Sequence, residues 1–271
     1  MNKKYKLIKE DFKLTASGVK VFRIKYLKTG ELGGYVASEK NLSQDGNARV
    51  HGNALVYGNA QVYGNAQVYG NARVHGNTWV YGNAQVYGNA RVHGNARVYG
   101  DAQVSGDAQV SGDARVHGNA RVHGNARVHG NTWVYGNAQV SGNVQVYGDA
   151  RVHGNARVYG DAQVYGNALV YGDAQIEKLG DCVSITNQKN TITITPNLII
   201  IGCKSFKTLK EFNKTFFKIG KENSYLDHEL DLLKILVNEI HKRMSPIVDK
   251  IFDIERNGKK TKELGLVGEE K

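Results

Sequence analysis

Residues 52–76 read GNALVYGNAQVYGNAQVYGNARVHG, four copies of a six-residue unit, Gly-Asn-Ala-x-Val-x, with nothing between them. The glycine recurs without insertion from Gly46 to Gly172, which makes 22 hexads, with Asn or Asp at the second position throughout. A fixed period over half a chain marks a repeat architecture and outranks any local propensity. Within each unit the last four positions alternate small or aliphatic with polar or aromatic, as in a half-buried strand. The Gly-Asn/Asp pair is the turn, because both residue types enter the left-handed region of backbone space at low cost.

Strands of about four residues cannot bury an Ala/Val face alone, so successive hexads must wind around one another and stack coil on coil. The spacing of Val50 to Ala54, Val56 to Ala60 and Val62 to Ala66, an aliphatic residue followed four positions later by a small one, resembles the hexapeptide-repeat β-helix superfamily. The near-identical GNAxVx copies are most similar to those of phage and prophage proteins. The resemblance implies a left-handed parallel β-helix with three hexads per triangular coil, residues 18 apart being stacked. On that basis the 22 hexads make about seven coils, roughly 35 Å long at the spacing between strands.

The outward positions, sorted by face on that winding, are unequal. One face carries Gln61, Trp79, Arg97, Arg115, Trp133, Arg151 and Leu169 at the fourth hexad position, and Tyr63, Tyr81, Tyr99, His117, Tyr135, His153 and Tyr171 at the sixth. Both tryptophans of the protein therefore fall on one face, and the other two faces are richer in glutamine. Trp, Tyr and Arg are the types enriched at binding hot spots. The expected partner-binding residues are Trp79, Tyr81, Arg97, Tyr99, Arg115, Trp133, Tyr135 and Arg151. The competing interpretation is a structural ladder of stacked rows inherited by duplication.

Outside the hexads the chain divides into four parts. Residues 1–45 form an N-terminal β cap, with strands over Lys4–Ile8 and Val19–Leu27; Val36 and Leu42, spaced twelve and six residues before Ala48, suggest two degenerate coil faces. After the β-helix of residues 46–177, residues 178–204 form a β-meander cap with strands over Cys182–Thr186, Thr191–Thr195 and Leu198–Ile201. Residues 205–256 are helical. Ser205 opens a first amphipathic helix bearing Phe206, Leu209, Phe212, Phe216 and Ile219 and ending at Gly220. A second starts near Ser224, and its apolar residues Leu226, Leu230, Leu233, Val237, Ile240 and Met244 follow a 4-3-4-3-4 spacing that suits homo-oligomerisation. Ser245-Pro246 ends that helix and starts another carrying Ile247, Ile251 and Ile254, and residues 257–271 are a polar, disordered tail. The fold class is mainly β.

The formal charge of +11 sits mostly at the ends, the three parts 1–45, 46–177 and 178–271 contributing +5, +2 and +4. The nearly neutral solenoid argues against a dedicated nucleic-acid binder, although its Arg, Trp and Tyr residues have the chemistry for backbone contact and base stacking. No apolar run approaches the roughly 20 residues of a membrane span, and the first residues lack a signal peptide's apolar core. A cytoplasmic protein is expected, in the host cell if phage-encoded. Cys182 and Cys203, at opposite ends of the meander, are expected to be reduced and buried rather than ligands or nucleophiles.

Many hexapeptide β-helices are acyltransferases, in which a loop breaks out of a coil and a histidine stands at a subunit boundary. Here no loop interrupts any hexad, and the histidines share the sixth position with Tyr and Ser. His117, His123 and His129 fall on three different faces, while His75 and His93 stack without a third ligand, so neither set makes a zinc site. No catalytic residue, metal or cofactor is assigned. The expected function is a non-catalytic scaffold that docks a protein partner and self-associates, in its most specific form a phage accessory protein inhibiting a host defence factor. An acyltransferase-like enzyme and a nucleic-acid binder are the alternatives.

Overall fold

The computed structural model describes residues 3–177, 182–186, 191–201, 204–222 and 227–244. The chain divides into two compact units, residues 1–180 and 181–271.

In the first unit every hexad supplies one short strand, from β4 (Arg49–Val50) through β25 (Gln175–Ile176). Each strand pairs in parallel with the strand three hexads away, in register and without slippage, as Gln85 pairs with Gln67 and Gln103. Three sheets result, one per face of the prism. The third and fifth hexad positions point inward and are fully buried along the whole length. Alanine and valine suit that interior because three walls close on a narrow core. The corner glycines all adopt positive φ, and from Gly46 to Gly154 each lies against the glycine of the next coil. At Gly112 (φ +66°) a Cβ would stand 2.9 Å from the backbone nitrogen of Gly130, so the corner needs glycine for space as well as for conformation.

The corner asparagines form a second ladder outside the backbone. Asn47 donates to Asn65, Asn65 to Asn83 and Asn83 to Asp101, at 3.2, 3.0 and 2.9 Å. Aspartate accepts but cannot donate, so the run stops there and resumes at Asn119, which donates to Asn137.

A solenoid's first coil presents backbone carbonyls that no preceding coil can satisfy. The N-terminal segment answers them individually. Strand β1 (Tyr5–Leu14) pairs antiparallel with β2 (Lys20–Tyr26), β2 pairs antiparallel with β3 (Leu32–Val36), and β3 pairs in parallel with β5 (Leu55–Val56). Lys4 Nζ donates to Ala48 O at 2.9 Å, Tyr26 Oη to Val50 O at 3.1 Å, and Asn41 Nδ2 to Gly58 O and Ala60 O at 3.0 and 2.9 Å. Tyr35 N, Ala37 N and Ser43 N take Ala54 O, Val56 O and Val62 O.

Val36 and Leu42 do supply two degenerate faces, but at the valine position and not the alanine position. Val36 stacks on Val56 and Leu42 on Val62, an offset of 20 residues where the regular coil uses 18. With them the solenoid has about eight turns, one more than the 22 hexads alone provide.

The second unit is an antiparallel meander of β26 (Val183–Thr186), β27 (Thr191–Ile194), β28 (Ile199–Ile201) and β29 (Lys204–Phe206), followed by α1 (Leu209–Glu222) and α2 (Asp227–Met244). Ser205 does not open a helix; it lies in β29 and pairs with Ile200. The first helix starts three residues after Phe206, where Thr208 Oγ1 accepts from Glu211 N at 3.1 Å. Nor does Gly220 end it. The helix runs to Glu222, and Gly220 is buried beneath Leu230, whose side chain would clash with any Cβ there. Ile192, Ile194, Ile199, Phe206, Phe212, Phe216, Leu230 and Val237 form the core of this unit. Cys182 is buried. The expectations for Cys203, Ser224, Leu226, Ser245-Pro246, Ile247, Ile251, Ile254 and the tail 257–271 fall outside the described residues.

Candidate partner-binding face

The seven-stranded sheet from β6 (Gln61–Val62) to β24 (Leu169–Val170) holds the face singled out by its tryptophans. Its rungs run Gln61, Trp79, Arg97, Arg115, Trp133, Arg151, Leu169, each directly against the next. The guanidinium of Arg97 lies 4.8 Å from the centre of the Trp79 indole, and those of Arg115 and Arg151 lie 4.7 and 5.2 Å from that of Trp133. No carboxylate pairs with these three arginines among the described residues. Trp79 remains 39% exposed, while Trp133, held between two guanidinium groups, is half-buried.

Beside the rungs runs a column of rings. Tyr63, Tyr81, Tyr99, His117, Tyr135, His153 and Tyr171 stack with successive centroids 4.6–5.2 Å apart and planes within 15° of parallel. The corresponding columns on the other faces are broken by Ser111 on one and by Ser105 and Ser141 on the other. Partial burial between neighbouring rings pushes His117 and His153 below the ordinary imidazole pKa, and Arg115 and Arg151 lower them further. Both rings are therefore neutral near pH 7. Burial likewise raises the Tyr63 and Tyr81 phenols. On this face the sixth hexad position is thus a half-buried stacking slot.

Each tryptophan is preceded by the hexad's only inward-facing threonine. Thr78 and Thr132 replace alanine in the core, and their hydroxyls have no hydrogen-bond partner. Trp79, Arg97, Arg115, Trp133 and Arg151 are brought together on the rungs, with Tyr81, Tyr99 and Tyr135 in the adjoining column. Sorting by 18 residues was enough to find this grouping.

His117, His123 and His129 follow β15 (Arg115–Val116), β16 (Arg121–Val122) and β17 (Arg127–Val128), which lie in three different sheets. His75 and His93 stack at 5.2 Å. Among the described residues no three His, Cys, Asp or Glu side chains converge in a way that could hold a metal ion.

The helical stripe is placed differently. Leu230 and Val237 are buried in the core of the second unit, and Leu233, Ile240 and Met244 pack against that core. The exposed apolar residues of α2 are Leu232, Ile235 and Leu236, on the opposite side of the helix. The 4-3-4 spacing tracks the face covered by α1 and the sheet, and Leu232 and Ile235, out of phase with it, gave no periodic signal. No described helix is long and apolar enough to cross a membrane.

A family profile for bactofilins, described as polymer-forming cytoskeletal, matches residues 76–182, and one for the YdcK β-solenoid repeat matches residues 48–64 and 66–82. No curated protein matches the chain. What the chain shares with both families is the β-solenoid, and the matched residues lie within or directly beside the hexad array.

Proposed function

We propose that this protein is a non-catalytic β-solenoid scaffold that docks an acidic surface of a protein partner on its tryptophan face. The observation that carries the reading is the run Trp79–Arg97–Arg115–Trp133–Arg151, in which three guanidinium groups are stacked on indoles and lack carboxylate partners among the described residues. A rigid row of aromatic and guanidinium groups loses little side-chain entropy on binding, which is the usual composition of a hot spot. The similarity to polymer-forming bactofilins over residues 76–182 supports a scaffold, and with it self-assembly, over an enzyme. The hexapeptide-repeat superfamily and a cytoplasmic phage accessory protein that inhibits a host defence factor are the most specific forms of this reading, supported by the likeness of the GNAxVx repeats alone.

The test is cross-linking mass spectrometry on the full chain in its native cell, comparing wild type with the combined Trp79→Ala, Arg115→Ala, Trp133→Ala variant. Cross-links from this face to an acidic partner surface, lost in the variant, support the reading; an unchanged set of cross-links discards the face. Nucleic acid would use the same side chains. Salt-dependent binding of an oligonucleotide by the wild type, lost in the same variant, would replace the protein partner with that ligand. Sedimentation velocity of the wild type reads self-assembly separately.

A further inference from the structure

A groove of about 580 Å³ lies elsewhere on the solenoid, beside the ten-stranded sheet whose first strands are those of the N-terminal hairpin. Its floor is Arg73 and Arg91 on consecutive rungs and the corner residues Asn71 and Asn89, and Lys13 and Leu14 of β1 wall it on one side. We propose that this groove binds a small molecule carrying a diphosphate or longer phosphate chain.

Arg73 and Arg91 stand directly opposite each other, a like-charge pair that opposes sheet formation unless something compensates it. On the tryptophan face the equivalent pair, Arg97 and Arg115, is flanked by indoles that stack on both guanidinium groups. Arg73 and Arg91 are flanked instead by Leu55 and Gln109. No carboxylate lies within ion-pair distance of either among the described residues. A third cation, Lys13, lines the same groove. Lys13 Nζ donates to Asn53 Oδ1 at 3.0 Å and lies 4.3 Å from the centre of the Tyr35 ring, so its position is set before any ligand arrives.

Three cations converge on a groove whose one carboxylate, Asp107, lines it with the corner residues. Burial, then His93, then Arg73 and Arg91 lower the pKa of the nearby His75. Consecutive rungs are about 4.8 Å apart, a separation that lets each guanidinium take one phosphoryl group of a linked pair bidentately while Lys13 adds a point charge. The volume lies within the range of small-molecule sites and accommodates a molecule of nucleotide size. The groove shares no residue with the tryptophan face.

The experiment is isothermal titration of the full chain with inorganic pyrophosphate at low ionic strength, with orthophosphate as the comparison. Saturable binding of pyrophosphate at one site, tighter than that of orthophosphate, is expected. The double variant Arg73→Gln, Arg91→Gln should bind at least about tenfold more weakly, the loss of two charge-assisted contacts. Glutamine already occupies the next rung at Gln109, so the sheet tolerates it. Lys13→Gln, which changes no rung, should weaken binding about threefold or more by removing one exposed charge contact. The double variant Arg121→Gln, Arg157→Gln on another face should bind as wild type. Absence of saturable binding, retention of full affinity in Arg73→Gln, Arg91→Gln, or an equal loss in Arg121→Gln, Arg157→Gln would each overturn the site.

Discussion

Arg115 stacks on Trp133 from the adjacent rung, its guanidinium carbon 4.7 Å from the centre of the indole, in a sheet where the two residues are direct register partners. Arg151 does the same from the following rung at 5.2 Å. Trp79 has only one such neighbour, Arg97. The two tryptophans are therefore chemically alike and environmentally distinct, although their local sequences, GNTWVYGNAQV, are identical.

Single-tryptophan variants should separate them. With Trp133→Phe, the emission of Trp79 should lie further to the red and be quenched more steeply by acrylamide than that of Trp133 in Trp79→Phe. Trp133→Ala should cost about 1–2 kcal/mol, two cation–π contacts of about 0.5–1 kcal/mol each, and Trp79→Ala about half of that. Thermal denaturation followed by circular dichroism checks the order; equal losses and equal quenching would contradict the sandwich.

Gly112→Ala and Gly166→Ala test the corner. Both glycines have positive φ, +66° and +62°, so an alanine costs roughly 1 kcal/mol at either for conformation alone. A Cβ at residue 112 meets the backbone of Gly130 at 2.9 Å, whereas one at residue 166 meets nothing within 4 Å. Gly112→Ala should therefore be the more destabilising by at least about 1 kcal/mol of overpacking. Limited proteolysis and melting temperature should rank the two in that order.

Thr132→Val should stabilise the protein. The Thr132 hydroxyl is buried without a partner, and such a group carries a desolvation penalty of about 1–3 kcal/mol. Valine fits this inward slot, since Val144 occupies the same hexad position and is fully buried. A rise in melting temperature is expected; a fall would mean that the hydroxyl is satisfied in solution.

Acidification should weaken the solenoid before its carboxylates titrate. His75, His93, His117 and His153 all have folded pKa values below the ordinary 6.5, through burial first and then a neighbouring arginine, or for His75 the His93 ring followed by two arginines. The unfolded chain therefore binds more protons than the folded one in the window just below pH 6.5. The stability these rings contribute is complete above that value and is lost as pH falls through their folded pKa values. Melting temperature should decline from pH 7.5 to pH 5.5, and the decline should be shallower in His117→Tyr, which leaves a ring in the column at a position where Tyr99 and Tyr135 show that tyrosine stacks.

Much of the fold was legible because each hexad solves the same local problem. Gly-Asn sets the corner, Ala and Val set the inward face, and an uninterrupted period of six requires a stacked solenoid, whose three-hexad coil the family resemblance supplied. The tryptophan face could be assembled from the numbering for the same reason, as strict periodicity turns sequence distance into spatial distance. Where the period breaks, so did the reading. Ser205 looked like an N-cap because serine commonly is one, yet the strand ladder with Ile200 claimed it and left Thr208 to cap α1. Gly220 looked like a helix stop, but it is glycine because Leu230 packs onto it.

The amino-acid sequence by itself determined the parallel solenoid, its three unequal faces and the gathering of Trp79, Arg97, Arg115, Trp133 and Arg151 on one of them. Only the tertiary structure decided the two-residue offset that seats Val36 on Val56, the use of Leu230 and Val237 inside the second unit's core, and the gathering of Lys13 with Arg73 and Arg91 around one groove. The physical reason is the same in each case. Repeating contacts depend on a spacing written along the chain, whereas these depend on segments brought together by packing and by the first coil's unsatisfied carbonyls, for which no spacing is written.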